Sequence, residues 1–184
     1  MKLISNFLYI DIDNIDTDII IPKQFLNTLK KTGFDRCLFF DMRYIINNKN
    51  IYLNKDFSLN KKKTKILISS KNFGCGSSRE HAVWAIKNFG VDIIIAESYS
   101  NIFFDNSMKN NLLLIIFKKN KIKTLIKSNL LYLNINKQFL RYGTNKYCYF
   151  YINNLYKNIF LNKFSIIDFI LKKKKKILNY LRNV

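Results

Sequence analysis

Residues 72–82 read Asn-Phe-Gly-Cys-Gly-Ser-Ser-Arg-Glu-His-Ala and gather the chain's most reactive side chains into one stretch. Two glycines, Gly74 and Gly76, bracket Cys75. Ser77, Ser78 and Arg79 follow, and then a helical pattern that Gly90 can end. Ser77 with Glu80 fits the S-x-x-E capping box that marks a helix start. A tight loop thus delivers two hydroxyls and a guanidinium to a helix N-terminus, where free N–H groups and the helix dipole favour an anion. Arg79 adds a fork that matches a carboxylate. On pattern alone the loop fits a site for a carboxylate- or phosphate-bearing small molecule as well as it fits an ordinary strand–loop–helix turn. It is not a P-loop, since no Lys-Ser/Thr pair follows the second glycine. It is not a dinucleotide fingerprint either, because Arg79 stands where a third glycine belongs.

Other chemistry-bearing residues are scattered. Asp11, Asp13, Asp16 and Asp18 crowd the stretch before Pro22, the only proline. EF-hand spacing fails, because Asp16 replaces the turn glycine and no glutamate closes the loop. Turn formation and N–H capping suit Asp11 and Asp13 better than metal binding. Cys37, Cys75 and Cys148 are far apart, with no CxxC, and His81 is the single histidine. That dispersion points to reduced, unpaired thiols rather than to a cluster site. Cys75 has no second histidine to activate it, and a lone His81 reads as a packed or capping residue.

The string from Gly74 to Ala82 resembles the signature of the small subunits of 3-isopropylmalate dehydratases, shared in looser form with the swivelling C-terminal domain of aconitases. Further segments resemble that family in the same order: Asn14–Leu26 (NIDTDIIIPKQFL), Thr32–Phe34, Asp41–Tyr44, Ile95–Phe104 and Asn110–Leu113. The likeness fades after about Phe117. Leu114 departs from the pattern, which usually has proline after the Leu-Leu pair, and the C-terminal segments are only faintly similar. The resemblance implies a swivelling β/β/α domain, α/β in class with a mixed sheet, and a hydro-lyase subunit of leucine synthesis. It implies Ser77 as the catalytic base, Ser78 and Arg79 as ligands of a substrate carboxylate, and Asp18 at the mouth of the site orienting a basic group. Phe25 and Leu26 fall in the region that would discriminate substrates, where an apolar pair suits a branched alkyl group; plain core packing explains them as well. A second substrate-binding base has no clear counterpart, with Lys23, Lys30 and Arg36 as candidates. The partner implied is a large subunit carrying the [4Fe–4S] cluster, and no cofactor or metal is expected on this chain. Homocitrate- or citraconate-type hydroxy acids are alternative substrates, and a basic RNA-binding domain is an alternative of another class.

Composition bounds these readings. At 184 residues with 48% apolar content, the chain suits one globular domain, 1–184, with a core over about 1–118 and C-terminal strands and a helix over about 119–184. The net charge of +20 tempts one toward nucleic acid. Lysine, however, far outnumbers arginine, and Lys, Asn and Ile, all with AT-rich codons, dominate. A coding bias explains the charge without selection for it, so no nucleic-acid partner is expected. Lys61–Lys63 and Lys172–Lys176 read as solvated runs. No apolar run approaches a membrane span and no export signal shows, so a cytoplasmic location is expected.

The elements that must hold the loop follow from periodicity. Apolar runs at 64–70, 91–96 and 112–117 read as buried strands, and 79–89 and 100–110 as the helices between them. Strand–helix–strand order implies parallel pairing. Residues 7–13 read as a further strand, 25–29 and 38–44 as short helical or irregular pieces, and 47–63 as a loop with a weak hairpin. Beyond Lys118, residues 130–135 and 147–152 read as antiparallel strands, and 165–181 as helical, with an apolar stripe at Ile166, Ile167, Phe169 and Ile170 before five lysines interrupt it.

Overall fold

Three short runs, Ile66–Ser69, Ile93–Ala96 and Leu113–Ile116, set the architecture. Nearly every residue in them is buried, as expected of strands covered on both faces. The computed structural model describes the chain except residues 28–30, 48, 49, 58, 59, 61–63, 183 and 184, and gives only the backbone of 175–177 and 182. Lys30 and Lys61–Lys63 lie outside the described residues.

In chain order the first elements are β1 (Lys2–Ser5), β2 (Phe7–Ile10), α1 (Thr17–Ile20), a 3-10 turn (Lys23–Phe25) and α2 (Phe40–Arg43). Next come β3 (Tyr44–Asn47), β4 (Asn50–Leu53), β5 (Ile66–Ser69), α3 (Glu80–Phe89), β6 (Ile93–Ala96), α4 (Asn101–Lys109) and β7 (Leu113–Ile116). The C-terminal part adds α5 (Lys119–Leu125), β8 (Leu131–Asn134), β9 (Phe139–Tyr142), β10 (Lys146–Tyr149), α6 (Asn154–Asn162), α7 (Ile166–Lys172) and α8 (Lys174–Arg182).

Parallel and antiparallel pairing are both present, segregated into separate sheets. One sheet is parallel throughout, in the order β2-β5-β6-β7; the other is antiparallel, in the order β1-β8-β9-β10; β3 and β4 form a hairpin apart from both. The period of two along each parallel strand divides the core. Leu8, Leu67, Ile94 and Leu114 face one way and pack with residues of α1 and α3, among them Ile20, Ala82 and Ile86. Ile66, Ile68, Ile93, Ile95, Leu113 and Ile115 face the other way and meet Leu131, Leu133 and Leu140 of the antiparallel sheet, with Ile122 of α5 and Phe160 of α6. The layers are therefore antiparallel sheet, parallel sheet, helices. Helix α4 lies across the edge, giving Phe103 to one cluster and packing Phe104 against the other.

The C-terminal third is richer than its sequence suggests. The expected helix over 165–181 is two: Lys173 ends α7, its N–H bonding the carbonyls of Ile170 and Leu171, and α8 starts afresh. The lysine run gives the reason, because like charges three and four residues apart oppose a continuous helix. Helices α5 and α6 bury Ile122 and Leu125, and Tyr156, Ile159 and Phe160, at helical spacing. Strand β9 alternates Leu140 and Tyr142 inward and supplies the link between the two expected antiparallel strands.

The leucine at 114 has a structural counterpart. Strand β7 is an edge of the parallel sheet, and the Leu114 N–H points to the buried Tyr156 hydroxyl at 3.0 Å. The same hydroxyl donates to the Leu112 carbonyl. A proline would present no N–H there, so leucine creates a donor that Tyr156 satisfies. Burial holds the Tyr156 phenol well above its ordinary pKa, against a smaller lowering by the Leu114 N–H, so it stays protonated and able to donate. Tyr156→Phe should leave the Leu114 N–H buried without a partner and cost about 1–3 kcal/mol in urea unfolding. Tyr151→Phe, at an exposed ring, should cost nothing measurable; equal effects would show that the hydroxyl does not tie α6 to the sheet edge.

Candidate functional site

The site forms where the parallel strands end. Three loops leave the carboxyl ends of β2, β5 and β6, the usual place for a ligand in such a sheet. The middle loop, 70–79, is clamped by its neighbours. On one side Asn14 N–H donates to the Lys71 carbonyl (2.9 Å), Gly74 N–H to the Ile15 carbonyl (2.7 Å) and Thr17 N–H to the Cys75 carbonyl (2.9 Å). On the other side Phe73 N–H donates to Ser98 O (3.0 Å), Ser100 N–H to Phe73 O (3.2 Å) and Ser100 Oγ to Gly74 O (2.6 Å). The loop thus continues the sheet order as two isolated parallel bridges, Asp16 with Cys75 and Phe73 with Tyr99.

Phe73 anchors the loop from below. It is fully buried, with its ring centroid 5.3 Å from that of Phe103 and 6.4 Å from that of Tyr99. Gly74 sits at φ +75° directly over Phe103, and a Cβ there would lie 2.2 Å from Cγ of that ring. Both the backbone angle and the space therefore demand glycine.

The serines lie ahead of the helix rather than at its cap. Arg79 is the N-cap residue of α3, without a side-chain capping bond, so the Ser77–Glu80 capping box does not form. Two other interactions win. The Ser77 backbone N–H is taken by Thr17 Oγ1 at 3.2 Å. The Glu80 carboxylate accepts from Asn110 Nδ2 (2.7 Å) and Trp84 Nε1 (3.3 Å). The consequence is chemical: the Ser77 and Ser78 side chains are exposed at the mouth of the loop instead of folded onto the helix. Asn106 Nδ2 holds the Ser78 carbonyl from below at 3.3 Å.

Asp18 and Arg79 are brought together from 61 residues apart. Asp16 caps α1 by accepting from Ile19 N–H at 2.7 Å, which fixes the helix that carries Asp18. The Asp18 Oδ1 accepts from Arg79 Nη1. Arg79 is the more buried partner, its side chain 17% exposed against 44% for Asp18. The carboxylate holds one nitrogen of the fork, and a guanidinium has five N–H donors in all. The arrangement can offer further guanidinium donors to an anion beside two exposed hydroxyls.

Phe25 ends the 3-10 turn after Pro22, half-buried, with its ring 4.8 Å from Phe40, and Leu26 packs on the same core cluster. Lys23 and Arg36 are exposed. Asp11 accepts from Ser70 Oγ at 2.9 Å and Asp13 from Lys71 N–H at 3.0 Å, so both are engaged in loop structure. His81 packs between the rings of Trp84 (4.6 Å) and Phe34 (5.6 Å). Burial, then the nearby Asp16, pushes the Cys75 thiol above its ordinary range, and its Sγ donates to the Asn14 carbonyl. Cys37 is raised by burial, and Cys148 is buried against the antiparallel sheet. Placed on three separate elements, these thiols do not fit a cluster site, and among the described residues no group of His, Cys, Asp or Glu is arranged to hold a metal ion. Sequence reasoning missed Thr17, Ser100 and Asn106, which position the loop. Asp16 before Thr17 and Ser100 before Asn101 are N-cap signals that lay open to view.

A family model described as the aconitase C-terminal domain matches residues 8–120. The chain belongs to the aconitase C-terminal domain family. It is 55% identical over 118 residues to the 3-isopropylmalate dehydratase small subunit of Pelagibacter ubique, covering 62% of this chain and 57% of that one. It is 56% identical over 110 residues to the protein of the same name from Oenococcus oeni, covering 58% and 55%. The chain thus spans little more than half the length of the curated relatives it matches. In structure it is similar to the crystal structure of a 3-isopropylmalate dehydratase (LeuD) of Methanocaldococcus jannaschii, with a TM-score of 0.72 and 26% identity over 98% of this chain and 99% of that one.

Gly74→Ala should collapse this loop, because the methyl group meets a buried ring and the angle is strained. A loss of about 2–4 kcal/mol is expected in denaturant unfolding, the range of overpacking plus backbone strain. A loss below ~1 kcal/mol would mean that the loop yields without Phe103.

Proposed function

We propose that this chain is the small subunit of a two-subunit hydro-lyase that interconverts 2-isopropylmalate and 3-isopropylmalate by dehydration and rehydration, a cytoplasmic step of leucine biosynthesis. The observation that carries the reading is the clamp of Asp18 and Arg79 beside the exposed Ser77 and Ser78. The names of the similar proteins support the substrate.

In this reading Ser77 takes the proton from the carbon next to a substrate carboxylate. A serine hydroxyl is a weak base, so the alkoxide needs a positive field. The N-terminus of α3 and the Arg79 guanidinium both supply that sign. Asp18 keeps Arg79 aimed, and Arg79 with Ser78 holds the carboxylate so that the carbon presents its proton to Ser77. Thr17 fixes the serine by its backbone, which leaves the hydroxyl free for chemistry. Phe25 and Leu26 offer apolar surface suited to an isopropyl group. The partner large subunit would hold the [4Fe–4S] cluster, whose chemistry is Lewis-acid assistance to the departing hydroxyl.

The direct test is co-purification with a cluster-bearing partner and assay on isopropylmalate. Turnover of a homocitrate- or citraconate-type acid instead would move the substrate but keep the reaction class. In the reconstituted complex, Ser77→Ala should lower kcat by about 10²–10⁴, with folding unchanged because the backbone N–H, not the hydroxyl, meets Thr17. Ser78→Ala should raise KM more than it lowers kcat. Like behaviour of the two variants, or near-normal turnover of Ser77→Ala, would remove Ser77 from the role of base.

Arg79→Lys should weaken substrate binding by about 1.5–3 kcal/mol, the worth of a hydrogen bond to a charged group. A point ammonium cannot serve Asp18 and a substrate carboxylate with one planar fork. Unchanged KM and kcat would show that substrate binds elsewhere.

A further inference from the structure

Strand register places two rows of side chains on the solvent face of the antiparallel sheet. One row runs Ile4, Tyr132, Arg141, Tyr147 across β1, β8, β9 and β10, and the next runs Lys2, Asn134, Phe139, Tyr149. Their alternates, including Leu131, Leu133, Leu140 and Cys148, point into the core. Tyr147 is 51% exposed and Tyr149 77%, and Ile4, at the far edge of the sheet next to Tyr132, is 64% exposed. Phe139 sits at the centre, 5.9 Å from Tyr132, 5.9 Å from Tyr147 and 6.5 Å from Tyr149 between ring centroids. The Arg141 guanidinium lies 5.1 Å over the Tyr132 ring. Tyr132, Phe139, Arg141 and Tyr147 line a depression of about 230 Å³.

We propose that this face binds single-stranded nucleic acid. Two exposed rings, Tyr147 and Tyr149, with the half-buried Tyr132 and Phe139 on the same sheet face, form an apolar patch. Its charge selects the occupant. The two rows hold Lys2 and Arg141 and no Asp or Glu, and the C-terminal third around them, residues 119–184, has fifteen lysines and arginines against one acidic residue, Asp168. A second copy of the chain would bring like charge against like charge. Coding bias accounts for the abundance of lysine; it does not account for aromatic and basic side chains sharing one face in register. Exposed rings on a sheet offer stacking platforms to bases, while neighbouring cations meet phosphates. Tyr147 and Tyr149 are two residues apart on one strand, or about 6.8 Å. That is roughly twice the 3.4 Å rise of a stacked strand, so bases would be splayed one to a ring. A duplex hides its ring faces and gains only the electrostatic part. The face lies on the antiparallel sheet and the Ser77 loop at the strand ends of the parallel one, and they share no residue, so the proposal is independent of the catalytic reading.

The test is fluorescence anisotropy with the full chain and labelled oligouridylate or oligothymidylate of about 12 nucleotides, within the usual site sizes, against a duplex of the same length, over a range of salt. Single strands should bind at least about tenfold more tightly than duplex. Tyr147→Ser with Tyr149→Ser should weaken single-strand binding by about tenfold or more without altering the salt dependence, because no charge changes. Tyr147→Phe with Tyr149→Phe should bind as wild type, which guards against a fault of folding. Equal affinity for duplex and single strand, or a serine variant that binds as wild type, would reduce the effect to lysine background and overturn the proposal. Self-association abolished by the serine variant would overturn it too, by assigning the face to a second copy.

Discussion

Everything chemical in this chain depends on the backbone clamp that holds residues 72–77 between the loops after β2 and β6. Its bonds are main chain to main chain on both sides, from Ile15 and Thr17 to Gly74 and Cys75, and from Phe73 to Ser98 and Ser100. Such a clamp carries the order of the parallel sheet beyond the ends of its strands. The loop is therefore as well defined as a strand, although it has glycine at two positions and no regular structure. Rigidity of this kind lets an exposed serine keep a fixed distance from an arginine on the next turn of chain.

The sequence made the parallel half legible for a plain reason. Ile66–Ser69, Ile93–Ala96 and Leu113–Ile116 are unbroken apolar runs, and the helices between them carry Gly90 and Ser100 as end signals. The site was legible in part. Ser77, Ser78 and Arg79 stand out by type, Asp18 only through the family resemblance, and the structure sets Asp18 against Arg79. The capping box did not form because its two members had better partners far away in sequence, Thr17 for Ser77 and Asn110 for Glu80. A local pattern cannot weigh such partners. The same limit hid α5 and α6, whose apolar stripes at Ile122–Leu125 and Tyr156–Phe160 are interrupted by lysine and asparagine that face water.

The two halves also divide the labour of burial. The parallel sheet is sealed on both faces and has nothing to offer a ligand except at its strand ends. The antiparallel sheet is sealed on one face only, so its outer surface is where aromatic and basic side chains accumulate without harm to the core. A single chain thus offers a proposed small-molecule site governed by loop geometry and a broad surface governed by strand register.

The bond between Leu114 and Tyr156 bears on tolerance to change as well as on stability. A proline at 114 would ask nothing of residue 156. Leucine presents an amide that needs the tyrosine hydroxyl, and the hydroxyl in turn anchors α6 through Leu112. The two positions are therefore coupled unequally. With leucine at 114, loss of the tyrosine strands a buried donor; with tyrosine at 156, a change at 114 still leaves the hydroxyl the Leu112 carbonyl.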